Sequence, residues 1–273
     1  MAPDAQLAKL LGHIAACRNA QLPGERLMLY LSGHHIGYVT PALADRLAEV
    51  AQVARTGTTL TLLEEPSRLN DIAAAAGLRF RNEDFDVRAQ ADGPVLAKLD
   101  RGALPSFGVI GVGVHLNGLV RRPDGWHLWV GKRAADKKLD PGKLDHLVAG
   151  GVPAGLTPLE TLIKEGCEEA SLPPELARQA KPVARIAYAM ERAEGLRRDM
   201  VIAYDLELPE DFTPAPADGE VEHFELWPLR RVFSTVCETD DFKFNVNLVL
   251  IDLFLRFGLV AGEEAGRLRA ALS

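Results

Sequence analysis

Apolar residues first recur at helical spacing at Leu7, Leu10, Leu11 and Ile14, which predicts an opening helix. Arg26 to Tyr38 reads as two short strands about Gly33. Thr40-Pro41 supplies an N-cap and a first-turn proline for a helix that places Leu43, Leu47 and Val50 on one face. Residues 60–63 form a short buried strand, and Ser67 is expected to cap a helix that runs through Ala76 and stops at Gly77. The pattern changes character between Asp92 and Pro105. We therefore expect an α+β module over residues 1–103, a larger domain over 104–260, and a C-terminal helix or tail over 261–273.

The second part alternates strands with helical patterns. Residues 106–120 read as a strand, Pro123-Asp124-Gly125 as a hairpin turn and 126–133 as the return strand. A polar loop follows, and then the strand 146–151, which ends in two glycines. Strands are expected over 182–190, 199–207 and 221–228, with a Pro/Asp-rich loop over 209–219. Val246, Val249, Leu250, Leu253, Phe254 and Phe257 recur at helical spacing within a last helix over 241–257. The fold class is α/β: a mixed sheet with helices packed on it, in a sandwich.

Composition narrows the function classes. Of 273 residues, 47% are hydrophobic and 25% charged, the composition of a globular chain. A net charge of −7 argues against a nucleic-acid wrapper, because no global basic excess is present to displace counterions. Residues 1–103 carry a net −1 and residues 104–273 a net −6, so the acidity belongs to the second part. The start of the chain lacks a basic-then-apolar block, and no uncharged apolar run reaches about 18 residues, so neither a signal peptide nor a membrane span is expected. Three widely spaced cysteines fit a reducing, cytoplasmic setting.

The densest chemistry lies in residues 149–172. Thr157-Pro158-Leu159-Glu160 is a capping box with proline at the first helical position, so a helix begins there and runs to about Ala170. Leu159, Leu162, Ile163, Gly166 and Ala170 form its apolar face, while Glu165, Glu168 and Glu169 share another. Three carboxylates so placed repel one another. They are either a solvated acidic face or a site for a hard divalent cation such as Mg²⁺ or Mn²⁺. Gly150 and Gly151 permit close backbone approach just before the helix, and Gly166 suits tight packing of the helix on the sheet.

Gly150, Lys164-Glu165, Glu168-Glu169 and Leu172 resemble the box of the Nudix hydrolases in spacing. The sequence departs from that box at four positions. Leu156 stands for the first glutamate, Lys164 for arginine, Gly166 for an aliphatic residue and Ser171 for the last glycine. Residues 203–229 and 240–258, with a module of this length before the box, are similar to the Nudix subgroup fused in fungi to thiamine pyrophosphokinase. The resemblance implies a Nudix-type α/β/α sandwich over 104–260. It also implies a Mg²⁺- or Mn²⁺-dependent hydrolase of a small-molecule diphosphate, such as thiamine diphosphate or its oxidised analogues.

In that reading Glu165, Glu168 and Glu169 are both metal-binding and catalytic, and a later carboxylate, Glu220 or Glu222, completes the catalytic set. Gly150, Gly151, Lys132, Arg133 and Lys164 are the substrate-binding candidates. Lys143, Asp145 and His146 lie close to the expected cleft, with His146 a core or surface residue as readily as a ligand. Asp240 or Asp241 is expected to cap the last helix, and Trp126, Trp129 and Trp227 to fill core or stack on a ring. GVIGVG at 108–113 lacks the spacing of a dinucleotide loop, and the adjacent His34 and His35 make a poor metal pair. The alternative reading is a non-catalytic Nudix-fold module that binds a phosphorylated ligand or a protein partner. A homodimer stays open.

Overall fold

The computed structural model describes residues 3–50, 52–63 and 69–273. The chain opens with α1 (Pro3–Cys17), β1 (Leu27–Leu31), β2 (His34–Val39), α2 (Pro41–Ala48), β3 (Val53–Thr56), β4 (Thr59–Leu62) and α3 (Leu69–Ala75). The hairpin β5 (Asp84–Val87) and β6 (Ala97–Asp100) and the one-turn α4 (Leu104–Phe107) follow. Next come β7 (Ile110–Arg122), β8 (Gly125–Arg133), β9 (Leu144–Asp145), β10 (Val148–Gly151), α5 (Pro158–Ala170) and α6 (Pro174–Ala177). The chain closes with β11 (Lys181–Arg192), β12 (Gly195–Glu207), β13 (Val221–Pro228), α7 (Leu229–Glu238), α8 (Val246–Arg256) and α9 (Gly262–Leu272).

The first sheet has the order β2-β1-β4-β3, with β1 and β4 parallel. Thr40 caps α2 as expected, its hydroxyl accepting from Leu43 N at 3.3 Å. Ser67 lies outside the described residues. Leu29, Leu31, Leu47, Leu60 and Ile72 form a core that Phe85, Leu99 and Phe107 extend through the β5–β6 hairpin and α4. Alternation in β5 and β6 is confined to four residues each, too short a run to stand out in the sequence.

The second sheet runs β11-β12-β7-β8-β13, with β10 beside β7 and β9 beside β8. Only the β7–β12 pair is parallel, so the sheet is mixed. On one face Val114, Leu116, Ile202 and Tyr204 pack with Leu162 and Ala170 of α5. On the other, Leu128, Val130, Ile186 and Val201 pack with α7, α8 and α9. This is the α/β/α sandwich that the strand and helix pattern implies.

Two sequence expectations change. Helix α1 falls within 1–103 in sequence, yet its Leu7, Leu10, Ile14 and Cys17 sit in the core of the second sheet with Leu250 and Phe254. An amphipathic helix buries its stripe against whichever face is unfilled, and sequence proximity does not decide which. The last helix begins at Val246 rather than near Asp241, and neither Asp240 nor Asp241 caps it. Asp240 instead accepts from Lys9 of α1 at 2.7 Å, and a separate helix, α7, precedes it. No helix among the described residues is long and apolar enough to cross a membrane.

Candidate functional site

The site is built where β10 ends against α5. Thr157 and Glu160 form both halves of the capping box, so the first turn of α5 is fixed where the sequence places it. Gly166 lets α5 lie on β10: a Cβ there would stand 3.2 Å from Leu172 and 3.6 Å from Val148. Ser171, where the Nudix box has glycine, ends the helix in the left-handed region at φ 51°.

Helix α5 brings the three glutamates to the glycine pair. A Cβ on Gly150 would stand 2.7 Å from Glu165 Cγ, so only glycine lets that carboxylate lie across the strand end. Glu168 is half-exposed, Glu165 mostly covered and Glu169 buried. Ala149 N donates to Glu169 Oε2 at 3.1 Å. Lys164 Nζ lies 3.1 Å from Glu165 Oε1 and 2.6 Å from Glu168 Oε2, a cation standing between two carboxylates.

Burial pushes the carboxyl of Glu165 above its ordinary value and that of Glu169 well above it. Among the described residues no cationic side chain reaches ion-pair distance of Glu169, so its buried charge has one backbone N–H and no counter-ion. A divalent cation would remove that deficit, and carboxylate oxygens are the ligands that Mg²⁺ and Mn²⁺ prefer. The residues therefore fit such an ion.

A second cluster lies deeper. His115 Nδ1 and His146 Nδ1 are 2.8 Å apart, and Asp145 accepts from Arg133 Nη1 at 2.8 Å with Lys243 Nζ at 3.5 Å. His115, Asp145 and His146 also offer donor atoms within 4.8 Å of one another. Here, however, Arg133 and Lys243 already compensate the single carboxylate, and a dication would meet two positive charges. Of the two clusters, the glutamates hold the uncompensated negative charge.

The other sequence candidates separate. Glu220 pairs with Lys137 and is near enough to Glu169 to raise its carboxyl further. Glu222 is exposed at the bulge between Val221 and His223, so Glu220 is the nearer carboxylate. Arg133 does not face a diphosphate cleft. It is buried and donates to Leu139 O, Asp140 O and Asp145, which fixes the loop 134–145. Lys132 likewise reaches back to Gly142 O. Lys143 donates to Asp240 O. Trp129 and Trp227 are core residues, and Trp126 packs edge-on to Phe257.

The first module supplies a wall of the cleft that no sequence signal announces. Ala154 N donates to Asp84 O at 2.7 Å, tying β5 to the loop between β10 and α5. Phe85 lies so close to Gly151 that a Cβ there would be 2.6 Å from the ring. Beyond it opens a cavity of about 230 Å³, floored by Phe85, Val112, Val152 and Ile202, with Arg88 and Arg185 at its sides. Leu156, which stands where the Nudix box has its first glutamate, lines this cavity. A larger groove of about 670 Å³ adjoins it and shares Ala91, Asp92 and Arg185.

Residues 113–244 match the family model of the NUDIX domain. Over these residues the chain is similar to the NUDIX domain family. The chain is 40% identical over 237 residues to Nudix hydrolase 20, chloroplastic, of Arabidopsis thaliana, covering 85% of this chain and 60% of that one. It is 43% identical over 189 residues to Nudix hydrolase 24, chloroplastic, of the same plant, covering 69% of this chain and 52% of that one. Uncharacterized protein YJR142W of Saccharomyces cerevisiae (strain ATCC 204508 / S288c) is 31% identical over 201 residues, covering 68% of this chain and 57% of that one. The chain thus spans between half and two thirds of the length of the curated relatives it matches. The likeness to the first relative, at 237 residues, reaches well beyond the NUDIX domain itself.

Proposed function

We propose that the chain is a divalent-metal-dependent Nudix pyrophosphohydrolase. One observation carries the reading: α5 carries Glu165 against Gly150 and Glu169 against Ala149, with Glu168 on the same helix face, and the buried Glu169 carboxylate has no counter-ion among the described residues. Glu165, Glu168 and Glu169 would hold Mg²⁺ or Mn²⁺, which when bound supplies positive charge to the phosphoryl oxygens. Glu220, which pairs with Lys137 and acts electrostatically on Glu169, would be the carboxylate that orients a water and takes its proton. The water oxygen forms a bond to one phosphorus as the bridging P–O bond breaks, leaving an organic monophosphate and inorganic phosphate. The capping box and the close fit at Gly150 hold the carboxylates in place, so little reorganisation is needed.

The finer reading is that the substrate is thiamine diphosphate or an oxidised analogue. The likeness of residues 203–229 and 240–258 to the thiamine-linked subgroup supports it. So does the cavity beside Leu156, which has room for a heteroaromatic ring and is lined by Phe85, Val112, Val152 and Ile202 together with Asp86, Arg88, Asp92 and Arg185. The same reading keeps the chain in a reducing compartment, in keeping with three free cysteines.

Separation of the monophosphate products formed from a panel of diphosphates with Mg²⁺ or Mn²⁺ tests both levels. Glu168→Gln and Glu169→Gln should each lower turnover roughly a hundredfold or more while circular dichroism stays unchanged. Glu169→Gln should also raise the metal-free melting temperature, because it removes a buried charge. Full activity in either variant, or activity indifferent to EDTA, overturns the hydrolase. Much faster cleavage of nucleotide sugars or dinucleotides overturns the thiamine reading alone. Ligand binding with no turnover under any divalent ion would instead favour the non-catalytic module.

A further inference from the structure

We propose that Arg101, from the first module, is a phosphate-binding residue of the cleft and that Glu83 holds it while the cleft is empty. This inference rests on the pyrophosphohydrolase reading and adds to it a substrate-binding role for the first module.

Position is the first argument. Arg101 follows directly on β6, and its guanidinium lies over the Phe85 ring, 5.6 Å from the centroid. Phe85 in turn abuts Gly151, and a Cβ at Gly151 would be 3.9 Å from Arg101 Cζ. Gly150, the next residue, is the one against which Glu165 rests. Successive strand residues face opposite ways, so the guanidinium lies one residue along β10 from the contact that Glu165 makes, against the Phe85 ring that lines the cavity. The Ala154–Asp84 backbone bond holds the hairpin in this register.

Charge is the second argument. A diphosphate brings negative charge to a helix face that already carries Glu165, Glu168 and Glu169. The cations that the sequence offers are committed elsewhere: Arg133 to Asp145 and two loop carbonyls, Lys132 to Gly142 O, and Lys164 to Glu165 and Glu168. Among the described residues Arg101 has a single ion-pair partner, Glu83, at 2.8 Å, and both side chains are partly open to solvent, 43% and 35%. An exposed pair of this kind is weak, so a phosphate can displace the carboxylate at little cost. The guanidinium fork then matches two phosphate oxygens. Glu83 is near enough to act electrostatically on Glu165.

A packing role for Arg101 and a binding role predict opposite results for its partner. If the Arg101–Glu83 pair only braces the hairpin, Arg101→Gln and Glu83→Gln weaken the protein alike. If Arg101 binds phosphate, Glu83→Gln frees it and the two variants diverge. The experiment measures methylenediphosphonate binding by calorimetry in the presence of Mg²⁺, together with KM and kcat on thiamine diphosphate, for both variants and for Arg101→Lys. Arg55→Gln, which removes a surface pair with Asp45 in the same module, is the control.

We expect Arg101→Gln to weaken binding and raise KM about tenfold, the usual worth of one charge-assisted contact. Arg101→Lys should recover part of that loss, Glu83→Gln should bind the diphosphonate at least as tightly as the unaltered chain, and Arg55→Gln should change nothing. Unchanged binding in Arg101→Gln, or parallel losses in Arg101→Gln and Glu83→Gln, overturns the inference and leaves the hydrolase intact. If the unaltered chain binds methylenediphosphonate but turns over no diphosphate, the hydrolase reading fails, and the same comparison of variants still decides the role of Arg101. If it binds none, both fail.

Discussion

Gly150 shows how much one missing Cβ decides. A methyl group there would lie 2.7 Å from Glu165 Cγ, far inside van der Waals contact. The clash falls on a side chain that can swing, so the fold should survive with a loss of about 1 kcal/mol. What should not survive is the carboxylate geometry. Gly150→Ala should weaken Mn²⁺ binding about tenfold or more, read by electron paramagnetic resonance, with a melting temperature within a few degrees of the parent. Unaltered Mn²⁺ affinity would remove Glu165 from the proposed ligand set. Leu156 makes the complementary point, because its departure from the Nudix box supplies an apolar wall to the cavity.

Among the elements, α5 carries the most chemistry and is the most locally determined. Its cap is satisfied in both directions: Thr157 Oγ1 accepts from Glu160 N at 3.2 Å, and Thr157 N donates to Glu160 Oε2 at 2.8 Å. Thr157→Ala should cost about 1 kcal/mol in urea denaturation, and the frayed first turn should lower affinity for the divalent ion less than it lowers stability. A drop in stability below about 0.3 kcal/mol would mean that the β10 contact alone fixes the helix start. The β5–β6 hairpin is the opposite case. Its strands are short, and it earns its place by docking on Gly151 and Ala154 rather than by its own pattern.

The molecule as a whole buries ionisable groups between its layers, and this sets its acid stability. Burial pushes His115 well below its ordinary value and takes His146 down to about 4; neighbouring His146 lowers His115 further, while Asp145 opposes the shift of both. Lys243, Arg133, Tyr188 and Asn245 complete the surroundings. Both histidines are neutral in the folded chain, and the unfolded chain binds more protons between its histidine value near 6.5 and about 4. Stability should therefore fall as pH drops through that window, by at most roughly 1.4 kcal/mol per pH unit for each histidine. Asp145 acts in a different range. Burial disfavours its charge, but Lys243 and Arg133 hold its carboxyl below the usual carboxylate range, so its contribution is lost only in stronger acid. Glu165 and Glu169, whose carboxyls burial raises, act in the opposite sense and stabilise the metal-free chain as pH falls. Urea midpoints at about pH 7.5 and about pH 5 in the Glu165→Gln/Glu169→Gln double variant isolate the histidine effect, and a flat profile there would mean the two rings are not buried neutral.

By itself the sequence determined what short-range physics can write. The capping box starts α5 at Pro158, and helical spacing puts Glu165, Glu168 and Glu169 on one face. Apolar stretches bounded by turn residues mark the long strands β7, β8, β11 and β12, and the turn at Asp124-Gly125 joins two of them. Local signals of this kind act within a few residues and survive any arrangement of the rest. Only the tertiary structure decided which charges were already compensated. Arg133 and Lys132 look free in sequence and are bound to their own loop, while Arg101 and Glu83 look unremarkable and pair beside Phe85 and Gly151. It also sent α1 across to the second sheet, because that is where an apolar face was left to cover. Burial and long-range pairing are properties of packed layers, and neither is written in the spacing of neighbouring residues.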